Sequence, residues 1–451
     1  MADEPTRWTC ILAPDVRVTT NVRGMALQTA VGHVKLPPKD AAWVANTLLE
    51  PGQTENRDLK SGAPADLAAP GNGSPLDHLD RQGLVAHRLD GSFGAVVTCI
   101  PLRPPRGPRP RRKITGQIAL APQAMLRVRD GGLSLEMPGA WARIVVHDTK
   151  VLELLPLLAA GCNAEDCADT VQDRPAAWVD AVLCALQWCG IITQTDPSDW
   201  ALHDLVLHAA TRQGYGRKPL GKTGLPHSDA QDRQPTSLRR IDLEIPNQET
   251  LDRRDPPFSA LSTQRRSRRL HGDPPISAQQ LSEFLYRTLH QRDGHRPHPS
   301  GGACYPLTGY LALHHSLDVP SGLYRYDAVA HCLDMVAETD RALNRLLTDA
   351  AANAGVSERP QVLLILSARF AKTSSIYEDL SYSLILKEVG AVFQMAMLSA
   401  AAMGLAACPL GTGNALAFSA LAGLDPLVET SVGELMLGAA SDADPNGPPN
   451  A

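Results

Sequence analysis

The stretch STQRRSRRLHG, residues 262–272, sets four arginines around one serine just before a helical pattern begins. Such a cluster is suited to an anion: nucleic acid, an acidic peptide, or the phosphate of a cofactor. Each answer implies a different fold around it. The chain as a whole gives no pull toward nucleic acid, because its 451 residues carry a formal net charge of −5. Any basic function must be local. The length suggests about three domains, and 43% hydrophobic content is ample for buried cores.

Downstream, DPPISAQQLSEFLYRTLH predicts a helix. Ser277 and Gln280 have the spacing of a capping box, and Leu281, Phe284, Leu285 and Leu289 make one apolar face. RPHPSGGACYPL is a glycine-rich turn before a strand, GYLALHHSL, and SGLYRYDAVAHCLDMV reads as a hairpin. QVLLILSARF (361–370) is an uninterrupted apolar run of the kind found in strands covered on both faces. Residues 383–404 predict a long helix ending at Gly404, followed by a second glycine turn, CPLGTGN, and a last strand, SVGELMLG. Mixed strands and helices without a strict βαβ rhythm indicate an α+β fold.

Upstream, residues 101–210 have the helix, helix, longer helix, strand order of a winged helix, and residues 1–100 suggest a looser version. Between residues 141 and 200 three basic side chains stand against nine acidic ones, so this module is expected to bind protein rather than DNA. LRPPRGPRPRRK (102–113) reads as a solvated loop or a guide for an acidic peptide. Residues 211–260 read as a linker, and GRKPLGKT (216–223) inside it as a chance match to a phosphate loop. No apolar run approaches the length that spans a bilayer, and MADEPTRWTC lacks the apolar core of a secretory signal. Nine cysteines without a CxxC pair suit a reducing compartment, so a cytoplasmic location is expected. Cys162, Cys167, Cys184 and Cys189 are read as small apolar residues, and no metal is expected.

RRSRRL, PSGGACYPLTGYLAL, GLYRYDA, LSYSLILKEVGAVFQ, MGLAACPLGTGN and SVGELMLG, in this order, resemble the nitroreductase-like flavoenzymes over residues 260–438. Within them they resemble the SagB-type dehydrogenases, which oxidise thiazoline or oxazoline rings in ribosomally made peptides. The resemblance implies an FMN cofactor and a domain at 261–438, followed by a disordered tail at 439–451. It implies that Arg265, Ser267 and Arg269 hold the phosphate, with Arg266 and Arg268 on the opposite side of the chain. Pro299, Ser300, Gly301 and Gly302 would approach the isoalloxazine ring, and Leu410, Gly411 and Gly413 would form a second turn with the Gly411 N–H toward flavin N5. The family often carries a Lys-Tyr pair where this chain has Ile376 and Tyr377. Isoleucine cannot accept a proton. Tyr377 is the first candidate for proton transfer, with Lys372 one helical turn before Ile376, and Tyr382 or His298 as further possibilities. Lys387 and Glu388 are expected to form an ion pair or to meet a second subunit. The implied partners are a precursor peptide, a cyclodehydratase and a second copy in a homodimer, with no nucleic acid and no membrane. A small-molecule flavin nitroreductase or an inactive peptide-binding scaffold are the alternatives.

Overall fold

The computed structural model describes residues 6–21, 24–29, 32–47, 65–66, 74–105, 107, 109–110, 112–193, 200–212, 235–377 and 380–441. The chain forms two units, Met1–Pro219 and Leu220–Ala451.

The C-terminal unit is built on one antiparallel seven-stranded sheet. Its strands are β1 (Arg239–Asp242), β2 (Leu307–Leu313), β3 (Gly322–Asp327), β4 (Cys332–Glu338), β5 (Val362–Arg369), β6 (Leu405–Pro409) and β7 (Glu429–Ala439). They lie in the order β1-β4-β3-β2-β5-β7-β6. The helices are α1 (Gln248–Arg254), α2 (Phe258–Gln264), α3 (Ala278–Thr288), α4 (Arg341–Ala354), α5 (Phe370–Ser374), α6 (Ser381–Ala402) and α7 (Ala415–Ala422).

β5 is buried at every position from Val362 to Ala368. Its Leu364 and Leu366 pack with Leu281, Phe284 and Leu285 of α3 and with Val389 and Val392 of α6. Leu363 and Ile365 pack on the other face with Leu343, Leu346 and Leu347 of α4 and Phe418 of α7. Two covered faces therefore explain the unbroken apolar run, with each such side chain contributing about 1.5–3 kcal/mol. α3 starts on the expected capping box: Ser277 Oγ accepts the Gln280 N–H, and the Gln280 side chain accepts the Ser277 N–H.

Strand direction positions everything that follows. Leu307 lies opposite Ala368, Ala368 opposite Thr430, and Pro409 opposite Leu435. One end of the sheet is thus where β2 and β7 begin and where β5 ends; β6 runs toward that end and stops level with Leu364.

Three sequence expectations need correction here. The expected linker at 211–260 contains α1 and β1, and β1 pairs with β4 as an edge strand of the sheet. The expected tail starts too early, since β7 runs to Ala439 and Ala440 bridges His271. α6, with 22 residues, is long and apolar enough by composition to cross a membrane. It packs against α3, β6 and β7, which is why it is apolar. GRKPLGKT lies outside the described residues.

In the N-terminal unit, two short helices (Lys150–Glu153, Leu155–Ala160), a third (Cys167–Thr170) and the buried helix Ala176–Trp188 precede a strand, Ile192–Thr193. That strand and Cys162–Asn163 both pair with Gln117–Leu120. A boundary at residue 100 is not how the strands pair. A seven-stranded sheet takes Arg7–Leu12, Val85–Gly91 and Gly94–Pro101 from one side and Met125–Arg129, Gly132–Glu136 and Ala142–Val146 from the other, with Ala65–Asp66 at its edge. Pro101 pairs with Ala142 across the expected boundary. The four grouped cysteines do not converge on one point: Cys162 meets Cys167 at 3.6 Å, while Cys184 donates to the Arg112 carbonyl.

Candidate functional site

Two segments meet at the sheet end defined above, Pro299–Pro306 entering β2 and Phe370–Tyr377 leaving β5, while Leu410–Asn414 leaves β6 at the level of Glu434. A fourth, Arg265–Gly272, runs beside β6. The Arg268 N–H donates to the Ala407 carbonyl (3.0 Å) and the Gly272 N–H to the Ala439 carbonyl (3.0 Å). Because Leu405 pairs with Ala439, this segment is antiparallel to β6, with Arg265 toward the same sheet end. Arg265, Ser267 and Arg269 are half-buried and Arg266 is exposed. Among the described residues Arg265, Arg266 and Arg268 form no ion pair.

The first glycine turn is anchored from below by α6. Glu388 shares the buried side of that helix with Ile385, Val389 and Val392. Its Oε2 accepts the Ser300 hydroxyl at 2.6 Å, and Ser300 Oγ accepts the Tyr305 N–H at 2.9 Å. His298 Nδ1 is 3.5 Å from Glu388 Oε1. Burial raises the Glu388 carboxyl above the ordinary range, opposed by the Ser300 hydrogen bond and by the charges of Arg296 and Lys372. Burial, with Arg296 nearby, pushes His298 down to about 4, so its imidazole is neutral at pH 7. The expected Lys387–Glu388 pair does not form, because Lys387 is exposed while Glu388 is buried. Successive positions of a helix point about 100° apart, so the two residues have different neighbours.

Gly302 has φ +62°, and a Cβ there would lie 3.0 Å from the Tyr377 hydroxyl. Only glycine combines that backbone with that clearance. The structure therefore brings Tyr377 onto the turn that contains Gly301 and Gly302. The Tyr377 N–H donates to the Thr373 carbonyl (2.8 Å), so the chain continues a helical turn past α5, leaving Lys372 one turn before Ile376. The Lys372 charge acts on both Glu388 and Cys304. Tyr382 is exposed on α6, with its ring 6.1 Å from Phe370.

The second glycine turn is held through the Leu410 N–H, which donates to the Glu434 carbonyl at 2.9 Å. A side chain at Gly411 would meet no atom within 4 Å, and among the described residues its N–H makes no hydrogen bond. A side chain at Gly413 would instead fall inside the Glu434 carboxylate. Glu434 is buried, and desolvation pushes its carboxyl up to about 7, opposed by the Ser431 hydroxyl and the Asn414 N–H. Neither Glu388 nor Glu434 was singled out from sequence for this site, although both lie at buried positions of the expected helix and strand periodicity.

A cavity of about 230 Å³ lies elsewhere, in the N-terminal unit, against Phe93, His147, Arg174 and Trp178. Arg174 there is already bound by Asp148 (3.0 Å), so it offers little to an added anion.

Residues 263–439 match the nitroreductase family model. A provisionally named nitroreductase of Methanocaldococcus jannaschii is 27% identical over 173 residues, which are 38% of this chain and 84% of that protein. A provisionally named nitroreductase structure from Ralstonia eutropha is 25% identical, covering 46% of this chain and 94% of its own, with a TM-score of 0.38. The E. coli microcin synthetase McbBCD complex with truncated pro-MccB17 bound is 19% identical, covering 55% of this chain and 85% of that one, with a TM-score of 0.36. The C-terminal unit has a nitroreductase-like α+β fold.

Proposed function

We propose that the C-terminal unit binds FMN and oxidises thiazoline or oxazoline rings of a ribosomally made peptide to thiazoles or oxazoles. The N-terminal unit would engage that peptide, a cyclodehydratase would supply the rings, and two copies would associate. The observation that carries this reading is the glycine turn at Gly302 packed against Tyr377, with Lys372 one helical turn before Ile376, at the sheet end toward which β6 and the segment from Arg265 are directed.

The donor set fits FMN. Guanidinium groups of Arg265 and Arg269 with the Ser267 hydroxyl suit a terminal phosphate dianion. The Gly411 N–H, without an acceptor among the described residues, suits a polar ring atom, and Pro299–Gly302 offers backbone that a planar ring can approach. When bound, the flavin would supply a hydride acceptor that dioxygen reoxidises. Tyr377 would take the proton lost from the adjacent ring atom, the task that Ile376 cannot perform, with the Lys372 charge favouring the tyrosine's ionised form. Tyr377 offers a hydroxyl at the turn, and Lys372 supplies positive charge there.

A test is to purify the protein, read the flavin absorbance bands, and incubate it with an azoline peptide. The expected result is loss of two hydrogens per ring by mass, faster with the leader segment present. A colourless protein that never retains added FMN would refute the reading. A second reading, reduction of small nitroaromatic compounds, is favoured by the provisional name of the M. jannaschii relative. It requires turnover with NAD(P)H and a nitroarene in the absence of any peptide.

A further inference from the structure

We propose that Glu388 is a positioning residue of this site: its buried carboxylate fixes the Ser300–Cys304 turn, and with it the Gly302 backbone against which the Tyr377 hydroxyl rests. The inference rests on the azoline-oxidation reading and adds to it a residue that holds the proton-handling groups.

Four observations converge on this carboxylate. It comes from the middle of a mostly apolar helix face, where burying a carboxylate is costly unless it is paired or hydrogen-bonded. Its Oε2 takes the Ser300 hydroxyl at 2.6 Å, and Ser300 Oγ in turn takes the Tyr305 N–H, so one atom ties both ends of the glycine turn to α6. The tie matters because Gly302, inside that turn, is the residue against which the Tyr377 hydroxyl rests. Finally, Glu388 Oε1 has no hydrogen-bond partner among the described residues, nor do His298 Nε2 and Arg296 Nε beside it. Half of the carboxylate is thus left to act through its charge. The groups it faces are Arg296 and His298 before the turn, Cys304 in it, and Lys372 from α5. His298 is neutral, which leaves Arg296 and Lys372 as the positive charges around it.

Cys304 makes a reporter that needs no flavin. It is the one cysteine of the nine that is not buried, and its thiol is held up by burial and Glu388 and drawn down by Lys372. Thiolate is the species that alkylates, so the rate follows the local charge. The experiment titrates flavin-free wild type, Glu388→Gln, Glu388→Asp and Lys372→Met with iodoacetamide across pH, and quantifies Cys304 by peptide mass. Glu388→Gln keeps an acceptor for the Ser300 hydroxyl and loses only the charge. Its alkylation curve should move to lower pH, with Cys304 reacting at least about threefold faster at a given pH below the thiol pKa. Lys372→Met should move the curve the opposite way. With FMN and azoline peptide, Glu388→Gln should lower kcat by about tenfold or more at little changed KM, and Glu388→Asp should restore part of both effects. An unmoved Cys304 curve in Glu388→Gln, or full kcat in that variant, overturns the proposal. Should Glu388→Gln fail to fold, Glu388→Met, which also removes the charge and fills a similar volume, decides the alkylation arm. If wild type neither retains FMN nor oxidises azolines, the functional reading fails, while the Cys304 titration still decides whether Glu388 sets the charge at the turn.

Discussion

Replacing Glu434 by glutamine removes a carboxylate that the fold holds in protonated form well above the pH where an exposed one ionises. The carboxyl moves from 4.5 to about 7 because β7 buries it beneath the second glycine turn. The folded state thus binds this proton more tightly than the unfolded state does. Its contribution is fully present below about pH 4.5 and is lost as pH rises toward 7, with stability flat above that. The interval corresponds to about 3 kcal/mol at most. Glutamine keeps a carbonyl for the Ser431 hydroxyl or the Asn414 N–H and has no charge to desolvate. The variant should match wild type near pH 4.5 and exceed it by up to about 3 kcal/mol at pH 8, several degrees in Tm for a unit of this size. Calorimetry can isolate the relevant transition. All six tryptophans lie at or before residue 200 and all eight tyrosines at or after residue 215. Tryptophan fluorescence therefore marks melting of the N-terminal unit, and the remaining transition belongs to the C-terminal one. A difference between variant and wild type that stays constant from pH 4.5 to pH 8 would refute the reasoning.

Gly302→Ala places a methyl group at φ +62° and 3.0 Å from the Tyr377 hydroxyl, so it should cost about 1 kcal/mol or more and displace that hydroxyl. Thermal melting together with the kcat for azoline oxidation checks it. Arg265→Gln with Arg269→Gln should weaken FMN retention by about tenfold or more, with a shallower salt dependence, measured by quenching of flavin fluorescence. Tyr377→Phe should leave FMN bound and lower kcat by about 100-fold, with unchanged turnover ruling out its proton role.

Much of the C-terminal unit was legible because its signals are local. The apolar run at 361–370, the Ser277/Gln280 cap and the glycine ending α6 each fix an element without reference to a distant partner. The N-terminal unit was harder for the opposite reason. Gly94–Pro101, Met125–Arg129 and Gly132–Glu136 are short strands whose identity depends on pairing. Arg7–Leu12 finds its partner in Val85–Gly91, more than seventy residues away, and no local pattern announces that register. Of the two glutamates buried here, Glu388 reads from sequence as an ion-pair or subunit contact and Glu434 goes unnamed, although periodicity points to both. Glu388 is spaced three and one from Ile385 and Val389, and Glu434 alternates with Met436 along a buried strand. A carboxylate in an apolar run reads as a solvated interruption until the residue opposite is known, and Ser300 is 88 positions away.

Four arginines of this chain have clear structural carboxylate partners. Arg240 answers Asp334 at 2.9 Å, Arg287 answers Asp255 and Glu283, Arg369 answers Glu429 at 2.7 Å, and Arg174 answers Asp148 at 3.0 Å. Arg265, Arg266 and Arg268 have no such carboxylate among the described residues, although they crowd four consecutive positions with one serine. The chain has more acidic than basic residues overall, so carboxylates to neutralise them are not scarce. A fold that withholds a carboxylate from half-buried Arg265 leaves that guanidinium available to a negative group that arrives from outside. A dianionic phosphate would answer Arg265, with the Ser267 hydroxyl beside it, on the side of the segment opposite Arg266 and Arg268.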